Sequence, residues 1–141
     1  LASDRSRNLW QARWAPDGRW VSFIAAAPPL LTSTIYVMPA SGGEWIPITT
    51  GRQYDDKPRW SPDGRSLYYL SYRDGFWNLW MQRFDPDRGR AVGPAVQVTD
   101  FTSTDRMILH RSQLQTAITD SEFVVPLTES SGAVWALDLE P

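Results

Sequence analysis

Cysteine is absent from the 141-residue chain, and histidine occurs once, at position 110. Without cysteine, neither a disulfide framework nor a cysteine-based zinc site can form. This composition fits the cytoplasm and a bacterial periplasm equally well. A single histidine without clustered carboxylates also argues against a transition-metal site. We therefore expect no metal and no other cofactor.

Long apolar runs and an excess of charge of one sign are missing as well. The longest apolar stretch, 21–31, is interrupted by Ser and Pro and is too short to cross a bilayer, so we expect no direct membrane insertion. The formal net charge is −2, which predicts no surface that attracts nucleic acid or acidic membranes. The chain begins at Leu1 without Met or a signal peptide. We interpret it as an excised piece of a longer protein.

No catalytic constellation is found in the sequence. A Ser–His–Asp triad needs an activated serine, and the Gly-x-Ser-x-Gly elbow that presents one is absent, as is a glycine-rich phosphate loop. His110 falls in a long, degenerate insertion, where we expect an exposed loop residue. The nearest approach to a calcium loop, residues 85–89, lacks further ligands and is interpreted as a turn. We predict that the chain is not an enzyme.

Aromatic residues and turn formers are plentiful instead: eight Trp, five Tyr and five Phe accompany eleven Pro and nine Gly. This composition indicates many short strands joined by tight turns. No uninterrupted periodic segment predicts a long helix. The sequence therefore predicts an all-β fold.

A repeated motif organises the chain. Trp-Ala-Pro-Asp-Gly-Arg at 14–19 returns as Trp-Ser-Pro-Asp-Gly-Arg at 60–65, an offset of 46, and a period of about 40–50 residues is typical of β-propeller blades. In each copy Pro fixes φ, Asp suits the third turn position and Gly takes the left-handed conformation. We predict blades of four antiparallel strands in units of about 8–50, 54–100 and 107–141. Aromatics that recur at equivalent positions are expected to pack between sheets: Trp14, Tyr36, Trp60, Trp80 and Trp135.

The third unit is degenerate. Ala-Ile-Thr-Asp-Ser at 117–121 replaces the turn motif, and the second and third strands are predicted at 123–127 and 133–138. The extra length is predicted as a loop between 100 and 115. Residues 1–141 are thus interpreted as one domain with about three blades, part of a six- or seven-bladed propeller. Three sheets do not close a ring, so we expect either that two copies pair to complete the propeller or that further blades lie in the full-length chain.

These motifs resemble the WD-like repeats of TolB-type β-propellers. The match is best from Asp55 through the 58–65 motif to Asn78-Leu79-Trp80; it covers about 8–100 well and 114–139 poorly. Related repeats occur in propellers of prolyl-oligopeptidase-like and tricorn-like peptidases, and in sensor propellers of bacterial kinases and transcriptional regulators. The resemblance implies a function that depends on what the ring is attached to. Because TolB is a periplasmic part of the Tol–Pal system, it also implies a periplasmic setting.

Loops that join the last strand of one unit to the first strand of the next are candidate binding surfaces. The second of these loops leads into four residues of mixed charge and aromatic character, a composition that recognises proteins or peptides: Tyr54, Asp55, Asp56 and Lys57. The alternative for the two aspartates is that they only cap neighbouring backbone. After the turn at 74–75, Phe76 and Trp77 are interpreted either as an exposed contact on the opposite rim or as side chains folded onto the sheet.

We accordingly predict a non-catalytic scaffold module that presents a rigid rim to a protein or peptide partner. One alternative is the propeller domain of a prolyl-oligopeptidase-like serine peptidase, which would gate substrate access. Another is a sensor propeller attached to a bacterial kinase or transcriptional regulator. An α/β-hydrolase domain in the full-length gene would favour the first alternative.

Overall fold

The computed structural model describes residues 3–73, 75–110 and 115–132, and within these ranges all regular structure is β-strand. The first sheet has the order β1 (Asn8–Trp14), β2 (Trp20–Ala26), β3 (Thr34–Pro39) and β4 (Ile46–Pro47). The second has the order β5 (Tyr54–Trp60), β6 (Ser66–Arg73), β7 (Phe76–Asp85) and β8 (Arg90–Gln97). Every pairing is antiparallel. The prediction of an all-β fold with four-stranded blades is confirmed, and the described residues form no helix long and apolar enough to cross a membrane.

The two Pro-Asp-Gly turns form as predicted from their local chemistry. Asp17 accepts the backbone N–H of Arg19 at 2.9 Å, and Asp63 accepts that of Arg65 at the same distance. Gly18 and Gly64 have φ of +70° and +67°, in the left-handed region that glycine occupies without strain. These turns connect the first strand of each blade to the second.

Each first strand carries a β-bulge at the same place. The pairing register shifts between Trp10 and Arg13 in β1 and between Asp56 and Arg59 in β5. Gln11 and Lys57, again 46 residues apart, have φ of +54° and +55°. A bulge bends the strand and re-aims side chains, so the repeat extends to a detail of the backbone that the turn motif does not encode.

The core lies between sheets. Trp60 is 5% exposed, meets Phe84 edge-on with ring centroids 5.2 Å apart, and donates its indole N–H to the Arg13 carbonyl at 3.2 Å. Its repeat equivalent, Trp14, is 60% exposed. The expectation that Trp14 packs between sheets is wrong in the described structure, because no described sheet packs against the outer face of the first sheet, where Trp14 lies beside the buried side chains of Val21 and Phe23. Tyr36 and Trp80 are half-buried against apolar clusters, and Trp135 lies outside the described residues.

The third unit departs from the predicted layout. It contains β9 (Arg106–Ile108), β10 (Ala117–Ile118), β11 (Phe123–Val124) and β12 (Leu127–Glu129), with β9 paired to β12 and β10 to β11. The strand predicted at 123–127 is therefore interrupted at Val125-Pro126, where proline has no N–H for a ladder bond. The loop predicted at 100–115 contains β9, whose Ile108 is buried against the second sheet. The strand predicted at 133–138 lies outside the described residues.

The first strands of successive units lie side by side. Strand β5 contacts both β1 and β10. In a propeller the first strand of a blade is the innermost one, so β1, β5 and β10 form the inner surface of this structure.

Candidate functional site

The residues singled out around Tyr54 and Trp77 lie together at one end of the second sheet. Tyr54 pairs with Tyr72, and Tyr72 with Trp77, in the register of β5, β6 and β7. The rings of Tyr54 and Trp77 meet edge-on, with centroids 5.9 Å apart. The prediction that Phe76 and Trp77 lie on the opposite rim is wrong, because alternate connections of an antiparallel meander return to the same end. We call Tyr54, Tyr72, Phe76 and Trp77 the rim aromatics.

Two of the rim aromatics, Tyr54 and Trp77, lie against a histidine from the third unit. Trp77 stacks on His110 with ring centroids 3.8 Å apart and an interplanar angle of 12°. Tyr72, next to Trp77 at 5.4 Å, is 46% exposed, whereas Tyr54 and Trp77 are half-buried. Trp77 also packs against the buried cluster around Leu70. Of the two alternatives for Trp77, the structure shows the one folded onto the sheet.

Asp56 lies beneath this surface and connects three units. The side chain is 4% exposed. Its Oδ1 accepts from Gln11 Nε2 of the first unit at 2.9 Å and from the Lys57 backbone N–H at 2.8 Å, while its Oδ2 lies 2.5 Å from His110 Nε2 of the third unit. A single carboxylate therefore holds parts of all three repeats in register. We call Gln11, Asp56, Lys57 and His110 the junction cluster.

The charged groups Asp56 and Lys57 of the junction cluster form an ion pair, and both are buried. Lys57 is completely buried, and its Nζ lies 3.8 Å from Asp56 Oδ2. Burial lowers the pKa of Lys57, against the opposing effect of the Asp56 charge. Burial alone would raise the pKa of Asp56, but the hydrogen bonds from His110 and the Lys57 N–H, together with the charge of Lys57, bring that pKa below its ordinary value. The carboxylate therefore stays ionised inside the fold.

Asp55 points into a different set of contacts. Its Oδ1 accepts the Ser71 hydroxyl at 2.5 Å, and Arg73 Nε donates to the same hydroxyl oxygen at 2.9 Å. Its backbone is bracketed by Ser33 of the first unit, whose hydroxyl bonds the Asp55 carbonyl and N–H. Burial raises the pKa of Asp55, with the Ser71 bond acting in the other direction. These contacts fasten the second sheet to the first.

Only some of the predicted site residues are accessible from outside the fold. Asp55, Asp56 and Lys57 are at most 4% exposed, so a partner that stays outside the fold reaches only the rim aromatics. The backbone-capping alternative covers a part of what the two aspartates do, namely the bond from the Lys57 N–H to Asp56. That a partner binds at this end of the molecule stays a prediction.

Two members of the junction cluster were missed from the sequence. His110 was expected to be an exposed loop residue; that expectation is wrong, since its side chain is 18% exposed and bonded to Asp56. Gln11 carried one available signal, its position 46 residues before Lys57. The His110–Asp56 contact had no local signal, because it spans 54 residues and depends on how the third unit folds back.

The chemistry of the cluster is that of a rigid support. A His–Asp pair positions an imidazole, but no serine hydroxyl in the described ranges hydrogen-bonds this histidine. Within the same ranges, no group of three or more His, Cys, Asp or Glu side chains is arranged to hold a metal ion. The buried bonds fix His110, and His110 in turn fixes the plane of Trp77.

Comparison with curated proteins gives partial matches, and no protein-family model matches the sequence. Over 67 residues, or 45% of the chain, it is 34% identical to the uncharacterized peptidase YuxL of Bacillus subtilis. Over 72 residues, or 51% of the chain, it is 33% identical to the uncharacterized protein Atu1656 of Agrobacterium fabrum. These matches span 10% and 24% of the length of the two relatives.

Comparison with solved structures identifies the fold. The chain is similar to a putative TolB from Agrobacterium tumefaciens, with a TM-score of 0.59 and 21% identity over 89% of this chain and 47% of that one. It is also similar to the β-propeller domain of the Trilobed protease from Pyrococcus furiosus, with a TM-score of 0.51 and 18% identity over 84% of this chain and 43% of that one. The predicted TolB-like β-propeller fold is confirmed. The chain spans less than half the length of either structure, as a partial propeller does.

Proposed function

We propose that the chain is a non-catalytic propeller module that binds a protein or peptide partner through the rim aromatics. The observation that carries this proposal is the stack of Trp77 on His110, which is itself bonded to the buried Asp56. Aromatic side chains held rigid before binding are effective anchors, because little side-chain entropy is lost when the partner arrives.

The junction cluster has a supporting role in this proposal. Asp56 and Lys57 do not touch the partner; they hold His110 under Trp77 and keep the three units in register. Asp55 acts in the same way on the adjoining strands. A peptide or protein is favoured over nucleic acid because the net charge is −2 and supplies no general attraction for phosphates.

Selection of peptides from a random library on the immobilised chain tests the proposal. The strongest selected peptide is then synthesised and titrated calorimetrically into the wild type and into Trp77→Ala. We expect about tenfold or greater weakening in the variant, which corresponds to the loss of one anchor worth about 1.4 kcal/mol or more. Val92→Ala is the matched control, since Val92 is 43% exposed on β8, away from the rim aromatics.

Two results would contradict the proposal that the rim aromatics bind the partner. If no peptide is selected, or if Trp77→Ala and Val92→Ala bind the selected peptide as the wild type does, the rim aromatics are not the binding surface. Circular dichroism of both variants shows whether the fold is retained, so that weak binding is not confused with unfolding.

A second candidate function is the propeller of a serine peptidase, gating access to a hydrolase domain. The observations in its favour are the relative named as a peptidase and the fold likeness to a protease propeller. The full-length gene decides this point. A downstream α/β-hydrolase domain with a Gly-x-Ser-x-Gly elbow would support the peptidase assignment, and a full-length protein without one would contradict it.

The proposal also includes a cellular setting. The likeness to a putative TolB supports a periplasmic location. Fractionation of cells that express the full-length protein tests this, and recovery with cytoplasmic markers would contradict it.

For the isolated chain, the proposal includes self-association. A second copy is the proposed occupant of the exposed Trp14 face, because the equivalent face of the second sheet, at Trp60, is covered by the first sheet. Such a pair of three-unit crescents would complete a ring by two-fold symmetry.

A further inference from the structure

Two arginines at equivalent repeat positions converge on the inner surface. Arg13 of β1 and Arg59 of β5 each precede the tryptophan of the repeat motif by one residue. Arg59 Nη2 lies 3.0 Å from Gln115 Oε1, and Arg13 Nη2 lies 3.4 Å from the same oxygen. Two positively charged groups thus share one uncharged acceptor.

The other bonds of these arginines also go to uncharged groups. Arg59 donates to the carbonyls of Thr116 at 2.7 Å and Pro58 at 2.8 Å, and Arg13 donates to the Ala12 carbonyl at 3.1 Å. Neither forms a salt bridge with a described carboxylate. Other arginines of the described structure do so at 3.0 Å or less: Arg7, Arg19 and Arg88.

The described surroundings of Arg13 and Arg59 contain too little negative charge to balance the two guanidinium groups. Burial and then the positive charge of Arg13 lower the pKa of Arg59 to about 10, against a smaller raising effect of Asp56. The Asp56 oxygens are already bonded to the junction cluster. Both arginines are half-buried and Gln115 is exposed, so an outside group can reach the shared position.

We propose that Arg13 and Arg59 form a binding site for a carboxylate of the partner, either an acidic side chain or a C-terminal carboxylate, at the position that Gln115 Oε1 now marks. Planar guanidinium groups match a carboxylate in two-point bonds that are stronger than bonds to a neutral amide. The bound carboxylate would supply the negative charge that the described chain does not give Arg13 and Arg59.

Arg59 of the carboxylate site lies on the same strand as Tyr54 of the rim aromatics, so the site adds a second contact to the proposed function. That its ligand is part of a peptide rests on the proposed function. Tyr54 and Arg59 lie five residues apart on β5, which corresponds to about 15 Å along a strand. A peptide with an aromatic-binding segment at the rim and a carboxylate about five residues further on would engage both ends of β5.

Arginine side-chain NMR measures the site without a selected peptide. N-acetylalanine and N-acetylaspartate amide present a terminal and a side-chain carboxylate, and N-acetylalaninamide and N-acetylasparagine amide are their uncharged controls. We expect saturable shifts of the Arg13 and Arg59 Nε–Hε signals with the carboxylates and none with the controls. The relative size of the two responses identifies the preferred source. Arg83, which is exposed on β7, is the internal reference and should not shift.

Two variants and one control variant test the assignment. Arg13→Gln should weaken carboxylate binding about tenfold, the usual effect of losing charged hydrogen bonds. It is preferred to an Arg59 variant because Arg59 also bonds the third unit. Gln115→Glu places a carboxylate at the shared position and should abolish the response to added carboxylates. Arg83→Gln makes the same charge change as Arg13→Gln and should bind as the wild type.

Three results would overturn the inference: equal shifts with the amide controls, wild-type binding by Arg13→Gln, or stronger binding of inorganic phosphate than of either carboxylate. The test is separable from that of the rim aromatics. A carboxylate response without any selected peptide would leave this site standing and remove the rim proposal, and the reverse pattern would do the opposite.

Discussion

Asp55 and Asp56 are adjacent, and both are buried, but their pKa values move in opposite directions. Burial raises the pKa of Asp55, whereas the bonds and charges around Asp56 lower its pKa. Above pH 3.8, folded Asp55 retains a proton that the unfolded chain has released, so its contribution to stability falls as pH rises. The contribution of Asp56 is present above pH 3.8 and is lost as pH falls through its lower folded pKa.

Asp55→Asn should therefore change the pH dependence of stability in a defined direction. Asparagine keeps an oxygen to accept from Ser71 but has no titration. The free energy of unfolding of the variant, relative to the wild type, should rise as pH increases above 3.8. Urea denaturation between about pH 4 and pH 7 measures this difference.

Asp56→Asn is the opposing control. Its stability relative to the wild type should fall as pH increases in the range below 3.8, because the variant lacks the stabilisation that Asp56 gains on ionising. A relative stability of Asp55→Asn that falls with pH would show that Asp55 is not held with a raised pKa.

At the scale of elements, local chemistry explains which predictions succeeded. The Pro-Asp-Gly turns are specified by residues next to one another, and strands β2 and β6 follow from apolar runs that are buried on both faces. The layout of the third unit was not predictable in the same way. Its split second strand depends on Pro126 and on the return of β9, more than fifteen residues earlier, to pair with β12.

In the candidate site too, the features set by neighbouring residues were predictable from the sequence, whereas the contacts between units were not. The sequence identified Tyr54, Asp55, Asp56 and Lys57 as unusual, but their burial follows from the bulge in β5 and from neighbours in two other units. The shared end of Tyr54 and Trp77 follows from meander topology, a rule that was available before the structure. The stack of Trp77 on His110 was not, since it brings together units joined by an irregular insertion.

The repeat-equivalent tryptophans give a prediction for the contact between sheets. Trp60→Ala should lower the free energy of unfolding by about 3–5 kcal/mol, because it leaves a cavity in the layer between the first two sheets. Trp14→Ala, at the exposed equivalent position, should change it by no more than about 0.5 kcal/mol in dilute solution. Urea denaturation at low protein concentration compares them, and equal losses would show that the two faces are alike.

For the molecule as a whole, the outer face of the first sheet differs from the equivalent face of the second sheet, because no described sheet packs against it. A hollow of about 270 Å³ there is lined almost entirely by apolar side chains: Leu9, Trp10, Ala12, Trp14, Val21, Phe23 and Met38. The equivalent tryptophan on the second sheet is seated on a neighbouring blade and bonded to its backbone. Val21, Phe23 and Met38 are at most 5% exposed, but Trp14 is 60% exposed, and this large apolar side chain is where we expect another blade to pack.

The central claim is that the chain is a set of propeller blades and that the outer face of its first sheet accepts another blade. Light scattering coupled to size-exclusion chromatography at micromolar concentration tests it most directly. We predict twice the 16.1 kDa chain mass for the wild type and the single-chain mass for Trp14→Glu, with unchanged circular dichroism. A stable wild-type monomer, or a Trp14→Glu variant that associates as the wild type does, would contradict the claim.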